Sequence, residues 1–297
     1  MKKVLSLANR KPQWVLLAPF LILSATFMLI PILNAFYISF FDFSFLNPTN
    51  RTFVFLDNFR NVLADTVFRR SIRNTIFIVF VFVPAQLYLS LLVAMFINTR
   101  IKFKNVFRTI VYLPYVVSPI AIGAIVAQLF RRNTPLVELL TTFGLDNVTW
   151  HATRPYAFWL VVLIVIWTQI GFFMVIYNGA LKEIPEDLYE AAEIDGAGPV
   201  KKFLFITYPL LRHTRFLIVF MSLIVAFQLF ELPYLISTIG GTSAGSPSNS
   251  TMTIVMYIYS RAFRYNEMGL ATAASVILFF IIFLLSLIQN RLERWKT

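Results

Sequence analysis

Six apolar runs, each long enough to cross a lipid bilayer, constrain this chain more than any other feature. A spanning helix needs about 20 mostly apolar residues, because the hydrocarbon core is about 30 Å thick and each residue rises about 1.5 Å. Only one of the runs contains a charged residue, Glu231. The pattern predicts an all-α polytopic membrane protein with six transmembrane helices. The runs are residues 13–41, 75–97, 109–130, 155–181, 216–239 and 268–290.

The composition supports a membrane protein and excludes several other classes. The side chains are 58% apolar and 13% charged, which leaves too few polar groups for a soluble domain. The net charge of +12 does not indicate nucleic-acid binding, since the basic residues stand in short clusters beside apolar runs. Without cysteine, disulfides and thiolate metal sites are impossible, and His151 and His213 have no partner at ligand spacing, so we expect no metal site.

The first run is predicted to remain as a membrane helix. Four basic residues precede it, as in a signal peptide, but it is 29 residues long, whereas a signal core has about 7 to 15. Alternate connections carry sixteen and ten Lys and Arg residues, which predicts that both termini lie in the cytoplasm. We also expect an interfacial helix over residues 57–70, because its apolar residues form one stripe.

These patterns divide the chain into three predicted parts. Residues 1–70 form the N-terminal tail, the first transmembrane helix and the outer interfacial helix. Residues 71–290 form a core of five transmembrane helices, and residues 291–297 form a cytoplasmic tail. The core includes a cytoplasmic segment, residues 182–215, that holds six of the fourteen acidic residues.

That cytoplasmic segment reads as two short helices joined by a tight turn. Pro185 suits the first turn of a helix, and Gly196 supplies a left-handed stop. A second helix is predicted to begin at Pro199 and to end before Pro209, because proline breaks a helix interior. Ala191 would let another backbone approach closely, so the segment is predicted to be a docking surface, although a solvated acidic helix would share its composition.

The same segment resembles the EAA loop of the permease subunits of bacterial ABC importers. The spacing from glycine to proline matches, and Tyr208 is one departure, where that family usually has leucine. Weaker matches elsewhere resemble type I permeases of the maltose and glycerol-phosphate class, and together they cover residues 57–290. The matching residues are Glu190-Ala191-Ala192, Ile194-Asp195-Gly196-Ala197, Phe203, Ile206 and Pro209-Leu210, with Asp57-Asn58-Phe59, Asn74-Thr75 and Leu113-Pro114 outside the loop.

The resemblance implies a multi-pass permease of the bacterial cytoplasmic membrane that imports a sugar or sugar-like solute. Its implied partners are a second homologous permease, a cytoplasmic ATPase dimer, an external solute-binding protein and the bilayer. ATP and Mg²⁺ would bind the ATPase, leaving this chain without cofactor or catalytic residues. The residues implied to couple it to the ATPase are Glu190, Ala191, Ala192, Asp195, Gly196, Ala197 and Pro209, and Glu190 would pair with a basic residue there.

Polar side chains within the apolar runs mark a possible solute path, since such groups tend to face a cavity. The helices that flank the cytoplasmic segment are the ones it would move. We therefore predict that Trp167, Gln169, Ser222 and Gln228 line the path, while Glu231 suits an outer gate. Helix-to-helix hydrogen bonding is the alternative for each, and it is favoured for Gln86 and Gln128.

Two other classes of membrane protein fit the sequence less well. An ion-coupled secondary transporter or a channel would use several charges within the membrane, whereas this chain has essentially one. A membrane enzyme would need a cluster of acidic, histidine or serine residues at one face, and none is evident. The solute is not named by the sequence: a mono- or oligosaccharide, a polyol and a glycerol phosphate diester all fit.

Overall fold

The computed structural model describes residues 12–47, 49, 51–99, 102–238 and 243–294. The basic N-terminal residues Lys2, Lys3, Arg10 and Lys11 therefore lie outside the described residues, as do Gly240 and Gly241. The α-helices of the described part are α1 (Pro12–Ser24), α2 (Ile30–Ile38), α3 (Asp57–Ala64), α4 (Thr66–Asn98), α5 (Lys104–Val116), α6 (Pro119–Leu129), α7 (Pro135–Thr141), α8 (Tyr156–Lys182), α9 (Glu186–Ile194), α10 (Pro199–Lys202), α11 (Tyr208–Leu210), α12 (Arg212–Phe227), α13 (Glu231–Thr238), α14 (Ile254–Tyr259) and α15 (Met268–Arg294).

Shorter elements complete the described chain. Two strands, β1 (Phe41–Asp42) and β2 (Thr52–Phe53), pair antiparallel, with Phe41 opposite Phe53. A 3₁₀ turn covers Trp150–Ala152. Wider π-helical turns lie at Ala25–Leu29, Phe203–Thr207 and Ser260–Arg264.

Five stretches of the described chain are long and apolar enough to cross a membrane. They are Leu16–Ile38, Thr66–Asn98, Tyr156–Lys182, Arg212–Thr238 and Met268–Gln289. Each coincides with one of the runs predicted from the sequence. The remaining run corresponds to α5 and α6. The number of spans reaches six only if this bent pair counts as one span.

The predicted spanning helix over residues 109–130 is sharply bent in the structure. Helices α5 and α6 meet at an angle of 96°. Proline disfavours the α-helical conformation in the residue before it, and Ser118, which precedes Pro119, has an extended ψ of 130°. Val117 is also extended, so the helix ends and restarts within two residues.

The predicted interfacial helix over residues 57–70 is also two elements. Helix α3 ends at Ala64, and Asp65 begins the 33-residue helix α4 as its N-cap. The Asp65 carboxylate accepts a hydrogen bond from the Val67 amide at 2.8 Å, which satisfies one of the free N–H groups at the helix start. The apolar stripe continues from α3 into α4, so the periodicity of apolar residues did not show the break between the two helices.

The described residues of 1–64 and 258–279 form one compact unit. Within it, the amide of Asn58 donates to the backbone carbonyls of Ser39 and Phe41 at 2.9 and 2.8 Å. The rings of Phe40 and Phe59 lie 5.6 Å apart. Two residues of the Asp57-Asn58-Phe59 motif therefore tie α3 to the chain that follows α2.

The described residues of 65–257 and 280–294 form the second unit. Its core is built on α4 and α8, which pack along each other, with α5 against α8 and α12 against α4. Fully buried side chains such as Phe82, Phe173 and Tyr177 fill this core. The structure thus places α8 at the centre of the contacts of this unit.

Asn74 and Thr75 of the second motif have a structural role in this unit. The Asn74 amide donates to the carbonyls of Asn249 and Met252, both at 3.0 Å. The Thr75 hydroxyl accepts from the Ile254 amide at 3.2 Å. These bonds anchor the segment before α14 to the start of α4.

Candidate functional site

Residues 183–211, between α8 and α12, form a helical hairpin, called here the 183–211 hairpin. Its first helix, α9, begins after Pro185 and carries Glu186 and Asp187 in its first turn, where acidic groups favour the positive helix end. Gly196 has a φ of 72°, so the predicted left-handed stop is confirmed. Helix α10 begins at Pro199, also as predicted.

The turn at Gly196 is closed by three backbone hydrogen bonds. The Ala197 amide donates to the carbonyl of Ala192 at 2.8 Å, and the Gly196 amide donates to Glu193 at 3.0 Å. The Asp195 amide donates to Ala191 at 3.0 Å. These bonds satisfy carbonyls at the end of α9 and fix the direction in which the chain leaves it.

The prediction that the second helix ends before Pro209 is wrong. The chain stays helical through Pro209 to Leu210, with a π-helical turn at Phe203–Thr207 between α10 and α11. The Tyr208 amide bonds five residues back, to Phe203. This wider turn accommodates a proline, since proline lacks an N–H group and its ring would clash with the carbonyl four residues earlier in a regular helix.

Side-chain contacts join the two arms of the hairpin. The Tyr189 hydroxyl lies 2.8 Å from Oγ1 of Thr207, and the Lys202 ammonium lies 2.8 Å from a Glu193 carboxylate oxygen. The hydrogen bond from Lys202, reinforced by its charge, lowers the pKa of Glu193 below its ordinary value. The hairpin is therefore held as one piece by contacts of its own.

The departure at Tyr208 has a local explanation in the structure. The Arg215 guanidinium lies 3.5 Å from the centroid of the Tyr208 ring, a cation–π contact that a leucine could not make. This contact links the hairpin to the beginning of α12.

One surface of the hairpin is exposed although much of it is apolar. No residue of α9 is buried, and Glu190, Ala191, Asp195 and Pro209 are all exposed. Ile194 is 88% exposed and Phe205 is 76% exposed. An exposed apolar patch beside a carboxylate is typical of a protein-binding surface.

A cavity of ≈ 560 Å³ in the same unit, called here the glutamine cavity, contains three of the five side chains predicted to line a solute path. These are Gln169 on α8, Gln228 after α12 and Glu231 at the start of α13. The breaks in α5–α6 and α12–α13 both open onto it. Its other lining residues are Pro114, Tyr115, Val117, Pro119, Ile122, Thr168, Val225, Leu229, Phe230 and Leu232.

The other two predicted residues do not line this cavity. Trp167 is 50% exposed and lies outside its wall. Ser222 is fully buried, and its hydroxyl donates to the carbonyl of Val219 in its own helix at 3.1 Å. For Ser222 the bond lies within α12, so it matches neither the predicted solute path nor the alternative of helix-to-helix bonding.

Two aromatic residues of the cavity, Tyr115 and Phe230, were not predicted. Tyr115 follows Pro114, and Phe230 lies in the gap between α12 and α13. The prolines Pro114 and Pro119 near the middle of the run at 109–130 were a signal for Tyr115, because broken helices within membranes occur where they line a cavity. Gln86, in contrast, donates to the carbonyl of Ile166 at 3.0 Å, as its structural interpretation predicts.

Apolar spanning helices around a polar-lined cavity, with an exposed hairpin between two of those helices, define a multi-pass membrane transport protein. The chain belongs to the family of binding-protein-dependent transport system inner membrane components, which matches residues 74–297. The resemblance drawn from the cytoplasmic segment is thereby confirmed.

Individual relatives are similar along nearly their whole length. The chain is 32% identical to the arabinooligosaccharides transport system permease protein AraP of Halalkalibacterium halodurans, over 93% of this chain and 85% of AraP. It is 32% identical to the lactose transport system permease protein LacF of Rhizobium radiobacter, over 93% and 92% of the two chains. One chain of a solved bacterial ABC transporter for alginate import superposes with a TM-score of 0.82 at 23% identity, covering 99% of both chains. This match confirms the predicted permease fold.

Proposed function

We propose that this chain is one of two permease subunits of an ATP-driven importer and that it helps to form the path of a carbohydrate. The observation that carries the proposal is the 183–211 hairpin, which presents Glu190, Ala191 and exposed apolar side chains on a surface held rigid from within. Such a surface is suited to a cleft in a cytoplasmic ATPase. Glu190 supplies a carboxylate for a charge-assisted hydrogen bond to a basic residue of that partner.

The hairpin is connected directly to two walls of the glutamine cavity. Helix α8 ends at Lys182, directly before the hairpin, and carries Gln169. Helix α12 begins at Arg212, directly after the hairpin, and leads to Gln228. Because the hairpin is bonded within itself, a force on its surface is transmitted to both helices instead of deforming the turn. Closure of the ATPase would then change the distance between the cavity walls.

The lining of the cavity is suited to a sugar-like solute. Amide groups of Gln169 and Gln228 can donate and accept hydrogen bonds with hydroxyl groups, and Tyr115 and Phe230 offer ring faces. Glu231 is the one charged side chain among the described lining residues. The names of the relatives AraP and LacF, which refer to oligosaccharide and disaccharide transport, support the same solute class.

The remaining partners follow from the family to which the chain belongs. A second homologous permease would complete the path, and an extracytoplasmic binding protein would deliver the solute. We place the protein in the bacterial inner membrane with both termini in the cytoplasm. The sixteen Lys and Arg residues on that side, against ten on the other, support this orientation.

Co-purification with a charge reversal tests the proposal. The tagged chain is isolated from its native host in mild detergent, as wild type, as Glu190→Lys and as the matched control Glu138→Lys, which reverses an exposed carboxylate on α7. We expect the wild type and the control to retain a P-loop ATPase and a second permease, and Glu190→Lys to lose the ATPase. Recovery of the chain alone, with ATP-independent uptake unaffected by Glu190→Lys, contradicts the proposal.

A further inference from the structure

A second cavity, called here the arginine cavity, lies between the beginnings of α4 and α8. It measures ≈ 280 Å³ and combines two guanidinium groups with three aromatic rings. The Phe77 ring lies 5.5 Å from that of Phe158 and 5.6 Å from that of Trp159. The cavity lining is Arg73, Asn74, Phe77, Arg154, Pro155, Phe158, Trp159 and Ser250.

The two guanidinium groups have no anionic partner within the part of the chain that the structure describes. Neither Arg73 nor Arg154 takes part in a salt bridge or a side-chain hydrogen bond there. Both act repulsively on Arg70, whose buried Nε also has no hydrogen-bond partner in the described structure. Positive charges gathered without a counter-ion favour the binding of an anion.

The amide of Asn74 lines the arginine cavity but already donates to backbone carbonyls. Its Nδ2 is used by Asn249 and Met252, so it is not available to a ligand. The donors that remain are the Ser250 hydroxyl, whose buried Oγ has no hydrogen-bond partner in the described structure, and the two guanidinium forks, whose planar geometry matches a group with several anionic oxygens.

The position of the two arginines along the chain indicates the headgroup level of a membrane. Arg73 lies two residues before the apolar run at 75–97, and Arg154 lies one residue before the run at 155–181. The aromatic residues follow four or five positions after the arginines, and Phe77 and Trp159 are 45% and 42% exposed. The site is therefore cationic toward the polar boundary and aromatic toward the hydrocarbon, which is the polarity of a phospholipid.

We propose that the arginine cavity binds the phosphate group of an anionic phospholipid, with the acyl chain packed against Phe77, Phe158 and Trp159. In the orientation proposed above, this lipid belongs to the outer leaflet. Lys and Arg are generally depleted beside spans on that side. A bound lipid phosphate offsets the repulsion among these arginines and ties α4 to α8, the two helices at the centre of the unit.

Lipid binding to the full chain is measured after delipidation in mild detergent. Native mass spectrometry compares bound phosphatidylglycerol with bound phosphatidylcholine of identical acyl chains. We expect Arg73→Gln/Arg154→Gln to reduce the preference for phosphatidylglycerol by about thirtyfold, since each of the two basic groups near a membrane surface contributes on the order of 1 kcal/mol and about 1.4 kcal/mol corresponds to a factor of ten. The control Arg131→Gln/Arg132→Gln removes the same charge from exposed residues before α7 and should keep the preference. Arg73→Lys/Arg154→Lys, which retains charge without the fork, should be intermediate.

A second measurement does not depend on the arginine substitutions. Brominated phosphatidylglycerol should quench the fluorescence of the wild-type chain more than brominated phosphatidylcholine, and Trp159→Phe should abolish the difference. An unchanged lipid preference in Arg73→Gln/Arg154→Gln overturns the proposal, as does binding of inorganic phosphate as tight as that of the lipid. An unchanged lipid preference with weakened docking of the solute-binding protein would assign the cavity to a protein surface instead.

Discussion

The hydroxyl group of Tyr189 lies 2.8 Å from Oγ1 of Thr207, and this contact joins the first helix of the 183–211 hairpin to the widened turn of its second arm. Thr207 is buried, whereas the surface of α9 beyond Tyr189 is exposed. The hairpin thus has an inner side that is bonded to itself and an outer side that is open to a partner.

Gly196→Ala should loosen the hairpin, and Gly198→Ala should not. Nothing lies within 4 Å of a Cβ added at either position, so space does not distinguish them. Gly196 has a φ of 72°, where alanine costs about 1 to 2 kcal/mol. Gly198 has a φ of −71°, where alanine is neutral or stabilises by up to about 1 kcal/mol. Hydrogen exchange of the amides of Asp195 and Ala197 measures the difference, and equal exchange in the two variants would refute it.

Gly171→Ala should destabilise the membrane core, with Gly179→Ala on the same helix as its control. A Cβ at Gly171 would lie 2.4 Å from the carbonyl oxygen of Val111 and 2.6 Å from Cα of Tyr112, so α5 must move away from α8. Such overpacking typically costs about 1 to 3 kcal/mol. At Gly179 nothing lies within 4 Å, and the substitution should be tolerated. Thermal unfolding in detergent should show a lower midpoint for Gly171→Ala alone.

The pKa of Glu193 should rise when Lys202 is replaced. The hydrogen bond and charge of Lys202 lower this pKa, so the carboxylate is favoured in the folded hairpin. The pair therefore stabilises the hairpin above the ordinary pKa of Glu193, and this contribution is lost as the pH falls through the lowered value. Carboxyl NMR of the wild type and of Lys202→Met measures the shift. A Glu193 pKa that is the same in both proteins would show that the pair does not form in solution.

Gln169→Ala and Gln228→Ala should each raise the KM for solute uptake by about twofold to tenfold. Each substitution removes one hydrogen bond to the solute, which contributes about 0.5 to 1.5 kcal/mol, and that free energy corresponds to this change. Both residues line the glutamine cavity. Ser222→Ala is the control, because its hydroxyl bonds within its own helix and does not reach the cavity. Uptake of labelled solute by reconstituted importer measures KM, and a rise for Ser222→Ala equal to that of the glutamine variants would contradict this assignment of the path.

The sequence was sufficient for features that depend on composition or on a single backbone angle. The apolar runs predict the spanning helices because lipid demands a minimum length of apolar chain, whatever the packing. Gly196 predicts the turn of the hairpin because few residues other than glycine adopt a left-handed conformation at low cost.

The sequence was less sufficient for predicting which side chains of a helix line the cavity, and the reason lies in helix geometry. Trp167 and Gln169 are two residues apart on α8, so they point about 200° apart, and only one of them can line a given cavity. The tertiary neighbours decide which one does so. The sequence shows that both are polar or amphipathic, and it carries no mark of the side on which α5 and α12 will pack.

The continuation of the helix through Pro209 was missed for a different reason. The rule that proline ends a helix assumes regular winding, and the extra residue in the turn Phe203–Thr207 removes that assumption. The break at Ser118 shows the opposite case, in which proline did end the helix. The same residue type therefore has more than one outcome, since Pro84 within α4 and Pro114 within α5 are passed by the helix without a widened turn.

The widened turn at Phe203–Thr207 also constrains the number of residues in this part of the chain. Deleting one residue there would restore regular winding and bring the Pro209 ring against the carbonyl four residues earlier, so the helix would kink or break at that point. Leu210 and the first turn of α12 would then face new directions, although every side chain outside the deletion is retained. Ordinary surface connections gain or lose residues at little cost. Homologous hairpins should therefore differ in side chains more readily than in the number of residues between Gly196 and Pro209.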